Sequence, residues 1–166
     1  MLPSSVESMI EPSSLLDLFL YDADSGLLYW KKSMKLAGTK RKDGRMQVQV
    51  FGRVFLSHRI VWAIHHGSWP SFFVDHIDMD KMNNKISNLR EATKEENSRN
   101  TKKKKTNTSG LKGVSFHRLS GKWRADINLG MKQVSLGLFC SKEDAYAAYC
   151  KASKDYHGDF SNLDQE

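Results

Sequence analysis

Cysteine is nearly absent from these 166 residues: Cys140 and Cys150 are the only two. No CxxC spacing or set of pairs exists, so neither a structural zinc knuckle nor a disulfide framework is suggested, and both thiols read as packing residues. Long apolar runs are missing as well. None approaches the roughly 20 residues needed to cross a bilayer. The opening MLPSSVESMIEPSS lacks the basic start and long apolar stretch of a secretory signal. These absences point to a cytoplasmic protein with no membrane contact. Acidic residues are in the minority, 19 Asp and Glu against 26 Lys and Arg, and the net charge of +7 favours an anionic partner such as nucleic acid. Residues 1–101 carry 14 basic and 12 acidic side chains, whereas residues 102–166 carry 12 and 7, so the shorter C-terminal part holds most of the excess.

What is present suffices for modest cores, with 39% hydrophobic and 10% aromatic residues, enough for one ordinary domain or two small ones. Ser14 to Leu20 reads as a short helix, and Asp22 to Gly26 as turn chemistry leading into a strand, Leu27 to Trp30. Met46 to Val50 alternates, Phe51-Gly52 supplies a tight turn and Arg53 to Leu56 returns, which predicts a β-hairpin. His58 to His66 has helical apolar spacing that ends at Gly67, and Thr93-Lys-Glu-Glu96 resembles a capping box opening a helix to about Arg99. Lys102 to Lys105, followed by Thr106 to Gly110, is the linker candidate. The expected division is a flexible N-terminus over 1–13, a first domain over 14–101, a basic linker over 102–109 and a second domain over 110–163. In the second, Gly113 to Phe116, Lys122 to Asn128 and Gln133 to Leu136 read as strands. Ser141 then caps a helix whose apolar face is Ala145, Ala148, Tyr149, Ala152 and Tyr156, with Gly158 past its end.

The stretch DHIDMDKMNNKISNLREAT, residues 75–93, concentrates Asp and Asn around one His. Phosphodiester hydrolysis needs a water that can lose a proton and positive charge on the leaving 3′-oxygen. A neutral His and a hard divalent cation held by oxygen ligands supply these. Neighbouring strand residues point to opposite faces, so Asp75 and His76 are expected where a strand curls into a loop. Asn88 is the candidate to fix the tautomer of His76. A calcium loop starting at Asp78 is rejected, because Met82, Asn83 and Leu89 would fall at its ligand and Gly positions. His58 stands open between a structural or cap role and a DNA contact, and His65 and His66 read as surface residues.

Asp75-His76-Ile-Asp78, Asn83-Asn84, Asn88-Leu-Arg90, Ala92-Thr93 and Asn97, with Tyr21-Asp22, Gly26 to Trp30 and His58-Arg59 upstream, resemble the HNH homing-type endonucleases of phages, built on the ββα-metal motif. The resemblance covers most of residues 15–100. It implies His76 as general base, Asn88 as the residue that orients it, and Asp75 and Asn97 as ligands of one divalent metal. The last motif position is Asn97 and not His, an HNN variant whose oxygen donors favour Mg²⁺ or Mn²⁺. No cysteine pairs flank the core, which excludes a zinc-stabilised version.

In the C-terminal part, Trp123, Ala125 and Ile127 alternate with Lys122, Arg124, Asp126 and Asn128. One strand face can therefore pack on the helix, and the other can enter a DNA major groove. Gly110 to Val114, Gly121 to Ala125, Leu136 to Phe139, Glu143 to Ala145, Ala148-Tyr149 and His157-Gly158 are similar to the AP2/ERF-type DNA-binding domain over about residues 107–163. Members of that family also occur fused to phage HNH nucleases. Positions that contact DNA in the plant proteins fall near Lys112, Ser115 and Ser135, so the plant target sequence does not carry over. The expected contact set is Lys112, His117, Arg118, Lys122, Arg124, Asn128 and Gln133, with Lys102, Lys103, Lys104 and Lys105 adding nonspecific phosphate contacts. The chain thus reads as an α+β protein, a ββα-metal nuclease module followed by a three-stranded antiparallel sheet packed by one helix. Its expected activity is metal-dependent cleavage of double-stranded DNA as a monomer or weak dimer, in a bacterial host cell if phage-borne, with no protein partner implied. The competing reading is a DNA-binding regulator with an inactive HNH module, and RNA stays open as a substrate.

Overall fold

A computed structural model describes residues 7–99, 107–130, 132–161 and 163. Lys102 to Lys105 and most of the expected linker lie outside the described residues. The chain groups into two compact units, Met1–Lys94 and Glu95–Glu166. Among the described residues no helix is long and apolar enough to cross a membrane.

The first unit opens with a 3-10 turn, Glu7–Met9, and helix α1, Pro12–Leu18. Glu7 is buried and its carboxylate receives both Nε and Nη2 of Arg59, at 2.6 and 2.7 Å. The predicted helix over 14–20 is displaced towards the N-terminus, because Phe19 and Leu20 belong to a strand. β1, Phe19–Asp22, pairs antiparallel with β2, Leu27–Trp30, and the Phe19 and Trp30 rings meet at 4.7 Å. An apolar run such as Leu15 to Leu20 satisfies helix and strand alike, and pairing with a partner strand decides where one ends.

A three-stranded antiparallel sheet follows, ordered β3 (Thr39–Lys40), β4 (Met46–Val50) and β5 (Arg53–Leu56). The β4–β5 hairpin is the expected one. Phe51 and Gly52 both have positive φ, 48° and 76°, the backbone that matches strand twist in a two-residue turn. Helix α2, Ser57–His66, inserts Ile60, Val61 and Ala63 into the core and stops at Gly67, left-handed at φ 67°. It packs on β4, β5 and the 3-10 turn Ile86–Asn88. β6, Phe73–His76, then pairs antiparallel with β7, Leu89–Ala92. The core joins Leu15, Phe19, Leu28, Val48, Val50, Phe55, Ile60, Val61, Val74 and Leu89.

The short helix α3, Lys94–Arg99, follows Thr93 as the capping pattern predicts, and the second unit begins within it at Glu95. Strands β8 (Val114–His117), β9 (Lys122–Leu129) and β10 (Lys132–Phe139) form one antiparallel sheet with β9 central. Helix α4, Lys142–His157, packs across it. Ser141 caps α4 by accepting the Asp144 N–H at 3.0 Å. β10 runs past the predicted Leu136 because a register shift between Ser135 and Gly137 admits one extra residue, so that Leu136 and Phe139 both pack towards the core. Gly113, at φ 74°, lies against Tyr149, where a Cβ would stand 2.0 Å from the ring. The helix face differs from the expected one in its last turn. Tyr156 is 55% exposed, while Ser153 and His157 are buried, with His157 Nε2 3.2 Å from the Asn128 carbonyl oxygen. Burial follows the i, i+4 row from Ala145, and polar bonding to β9 turns the final positions inward.

Candidate functional site

β6 carries Asp75 and His76 as its last two residues, and both remain in the ladder, opposite Arg90 and Leu89. The expected curl at this point is absent, and strand alternation sends the two side chains to different partners. Both are buried. Asp75 Oδ2 accepts from Arg90 Nη2 and Nε at 3.2 and 3.4 Å, a cross-strand ion pair. On the other side, His76 Nε2 lies 2.9 Å from Asn84 Oδ1. With that carbonyl oxygen as acceptor, Nε2 carries the ring proton and Nδ1 is the basic nitrogen.

Asn84, not Asn88, is therefore the residue against His76. Asn88 is spent on the loop. Its Nδ2 donates to Asp78 Oδ1 and to the Asn83 carbonyl at 2.9 and 2.8 Å, and its Oδ1 accepts the Asp78 N–H at 3.0 Å. Asp78 also accepts from Asn83 Nδ2 at 2.7 Å and from the Asp80 N–H at 2.8 Å. Burial pushes the Asp78 carboxyl up, but bonds from Asn83, Asn88 and the Asp80 amide outweigh it, and the group stays below the usual carboxylate range. The Asp and Asn crowding in this stretch is thus a self-bonded loop that folds back to bring Asn84 against His76.

Asn84 is itself held by the β1–β2 ribbon. The Tyr21 hydroxyl accepts the Ile86 N–H at 3.0 Å and reaches the Asn84 carbonyl at 3.4 Å. Burial raises the Tyr21 phenol pKa, so it stays protonated and able to donate. Gly26, at φ 74°, sits so close that a Cβ would stand 2.5 Å from Lys85 N and 2.8 Å from the Asn84 carbonyl carbon. Sequence reasoning assigns no role to Asn84, Tyr21 or Gly26 in placing the base, although all three lie within the motif that carries the family resemblance. His58 is also adjacent: its ring meets His76 edge-on with centroids 5.0 Å apart. Burial, with the His76, Arg45 and Arg59 charges, pushes the His58 pKa down to about 3, so that ring is neutral. Arg59 anchors the approach to β6, donating to the Pro70 and Phe72 carbonyls at 3.1 and 2.8 Å. His65 and His66 are exposed, as expected.

Among the described residues no group of three or more His, Cys, Asp or Glu could hold a metal ion. The expected pair, Asp75 and Asn97, offers one carboxylate and one amide oxygen, which suits a hard cation that keeps waters and substrate oxygens in its shell. Asp75 lies in β6, whereas Asn97 lies in α3 of the second unit.

The second unit gathers most of the expected DNA contacts on one sheet face. In register, His117 lies opposite Lys122 and Gln133 opposite Asn128, and Arg124 shares the same face of β9. Lys122, Asn128 and Gln133 are exposed, and Arg124 pairs with Asp126 at 2.8 Å. The opposite face, with Ala125 and Ile127, is buried in the core clusters that also hold Ala145, Tyr149 and Ala152. Lys112 and Arg118 fall outside the strands, at their loops, and Lys102 to Lys105 lie outside the described residues.

Comparison with known proteins places this geometry. Residues 55–99, from the end of β5 through α3, match the model of the HNH endonuclease family. Protein 3.8 of Escherichia phage T7 is 36% identical over 109 residues, covering 64% of this chain and 88% of that protein. The HNH homing endonuclease I-HmuI, solved in a study of DNA binding and cleavage, is 35% identical with a TM-score of 0.41, over 49% of this chain and 50% of its own, so the present chain spans about half of it. The chain belongs to the same family as protein 3.8 of phage T7 and carries an HNH endonuclease domain over residues 55–99.

Proposed function

We propose that this protein is a metal-dependent DNA endonuclease of the homing type, in which residues 14–101 cleave and the sheet of β8, β9 and β10 selects where. The observation that carries the reading is the buried His76 with its Nε2 2.9 Å from the Asn84 amide oxygen. An amide oxygen accepting at Nε2 would hold the ring proton there and leave Nδ1 to act as the base. A water oxygen attacks phosphorus while its proton passes to His76 Nδ1. The bond from phosphorus to the 3′-oxygen breaks, and that oxygen takes a proton from a solvent water, leaving a 3′-hydroxyl and a 5′-phosphate. Asp75 and Asn97 would hold Mg²⁺ or Mn²⁺, which when bound supplies positive charge to the leaving oxygen. Asn84 orients the base, and Asn88 acts one step further away by closing the 78–83 loop. The basic face of β8, β9 and β10, read as AP2/ERF-like, would lie in the major groove of double-stranded DNA through His117, Lys122, Arg124, Asn128 and Gln133, with Lys112, Arg118 and Lys102 to Lys105 on phosphates. Phage kinship favours a bacterial cytoplasm as the place of activity, with a monomer or weak dimer as the working form.

The test separates cleavage from binding. Asp75→Ala in the full chain is expected to lose Mg²⁺-dependent relaxation of supercoiled plasmid while DNA binding by gel shift is kept. If wild type itself shows no EDTA-sensitive cleavage on any DNA while it binds, the protein is a DNA-binding regulator with an inactive HNH domain.

A further inference from the structure

Residues 1–101 are near neutral as a whole, but the balance hides a division. Residues 31–53 hold eight basic side chains against a single acid, Asp43, whereas the rest of that stretch holds six against eleven. The loop between β3 and β4 concentrates this charge. Lys40, Arg41, Lys42 and Arg45 surround Asp43, and the first three are exposed. Main-chain bonds shape the loop, from the Arg41 N–H to the Arg45 carbonyl at 2.8 Å and from the Gly44 N–H to the Arg41 carbonyl at 3.0 Å. Asp43 Oδ2 meets Arg45 Nη1 at 3.1 Å, and its Oδ1 meets Arg41 Nε at 3.5 Å. The Arg45 amide, and after it the Arg45 and Arg41 guanidiniums, hold the Asp43 carboxyl below the usual carboxylate range, so it is ionised. Exposed ion pairs of this kind add little to stability, so the turn does not need two arginines on one carboxylate.

The loop also lies beside the candidate base. Lys81 belongs to the loop that brings Asn84 to His76, and its Nζ donates to the Asp43 carbonyl at 2.8 Å. Arg45 and Asp43 both act electrostatically on His58, whose ring is 5.0 Å from His76: burial, then the His76 and Arg45 charges, lower the His58 pKa, and Asp43 opposes them. Lys40, Arg41, Lys42, Arg45 and Lys81 thus gather near His76 around the Asp43 carboxylate. A phosphodiester presents the same pair of anionic oxygens that Arg41 and Arg45 already hold, and arginine grips phosphate and carboxylate with one geometry. The geometry points to the β3–β4 loop as a clamp on the DNA backbone beside His76, with Asp43 as a stand-in that keeps Arg41 and Arg45 ready until a phosphate replaces it. Each phosphate so neutralised releases counterions and makes binding depend on salt.

This inference rests on the DNA reading, and binding measured without Mg²⁺ keeps it apart from cleavage. Gel shifts across a salt series on one duplex are run with full-length wild type, Asp43→Asn and the double variant Arg41→Ala with Arg45→Ala, with melting temperatures alongside. Asn keeps an oxygen for the Arg45 amide and removes only the charge, so the turn is retained. The double variant is expected to flatten the slope of log affinity against log salt by about 2. Asp43→Asn is expected to bind roughly two- to fivefold tighter at low salt, because no carboxylate competes for the arginines. A folded double variant with the wild-type slope overturns the inference and leaves the nuclease reading standing. If the double variant does not fold, affinity of Asp43→Asn no tighter than wild type overturns it instead. Wild type that binds no DNA removes the DNA reading, and this inference with it.

Discussion

One amide oxygen faces His76 Nε2, and the sequence offers three asparagines for that place. Asn83, Asn84 and Asn88 are chemically identical, and nothing in their order says which side chain returns to β6. Asp75 and His76 are legible from the motif, but the exchange of roles between Asn84 and Asn88 emerges only once the loop closes on Asp78. Two variants separate the roles. Asn84→Ala is expected to cut kcat roughly 10- to 100-fold with little change in KM. Asn88→Ala is expected to lower stability by about 1–3 kcal/mol in urea unfolding, because Asp78 is deprived of two of its bonds. A second residue-scale prediction concerns acid. His58 takes a proton at about 3 when folded, against an ordinary 6.5. The unfolded chain therefore binds the proton first as pH falls. The stability of the first unit should be full above about pH 6.5 and should decline below it by up to about 1.4 kcal/mol per pH unit towards pH 3. Urea unfolding across that range checks this, and His58→Phe should show a shallower decline.

Among the elements, those with a strong local period are readable from sequence: the β4–β5 hairpin from strict alternation and a Phe-Gly turn, α2 from its apolar row and Gly67, and α4 from Ser141 onward. Elements whose limits depend on a distant partner are not. β1 reads as helix because Phe19 and Leu20 continue an apolar run, and only pairing with β2 makes them strand. Tyr156 falls on the predicted buried face of α4 because helical spacing does not register that His157 bonds to β9. The β1–β2 ribbon also buttresses the candidate-site loop through Tyr21 and Gly26. Gly26→Ala puts a methyl group into the Asn84–Lys85 backbone in a left-handed conformation. It is expected to cost about 1–3 kcal/mol and to lower cleavage further than its stability loss accounts for, read as kcat measured well below the melting temperature.

Across the whole molecule the charge is divided as the work is proposed to be. The first 101 residues are near neutral and hold the buried chemistry, while the remainder carries most of the excess positive charge. Composition makes this division legible, but the boundary itself is less so, since α3 groups with the second unit. If the exposed face of β8, β9 and β10 lies on DNA with Lys112 and Arg118 on phosphates, Lys112→Ala with Arg118→Ala should flatten the slope of log affinity against log salt by about 2, roughly one for each phosphate no longer neutralised. kcat at saturating DNA should not change. A slope that stays as steep as wild type would remove that face from the interface. The central claim, that His76 is the general base of a DNA endonuclease, is tested most directly by relaxation of supercoiled plasmid with Mg²⁺ by wild type and His76→Ala at equal concentration. The proposed mechanism predicts a rate lower by about 10²- to 10⁴-fold for the variant, with gel-shift affinity retained, and equal rates would contradict it.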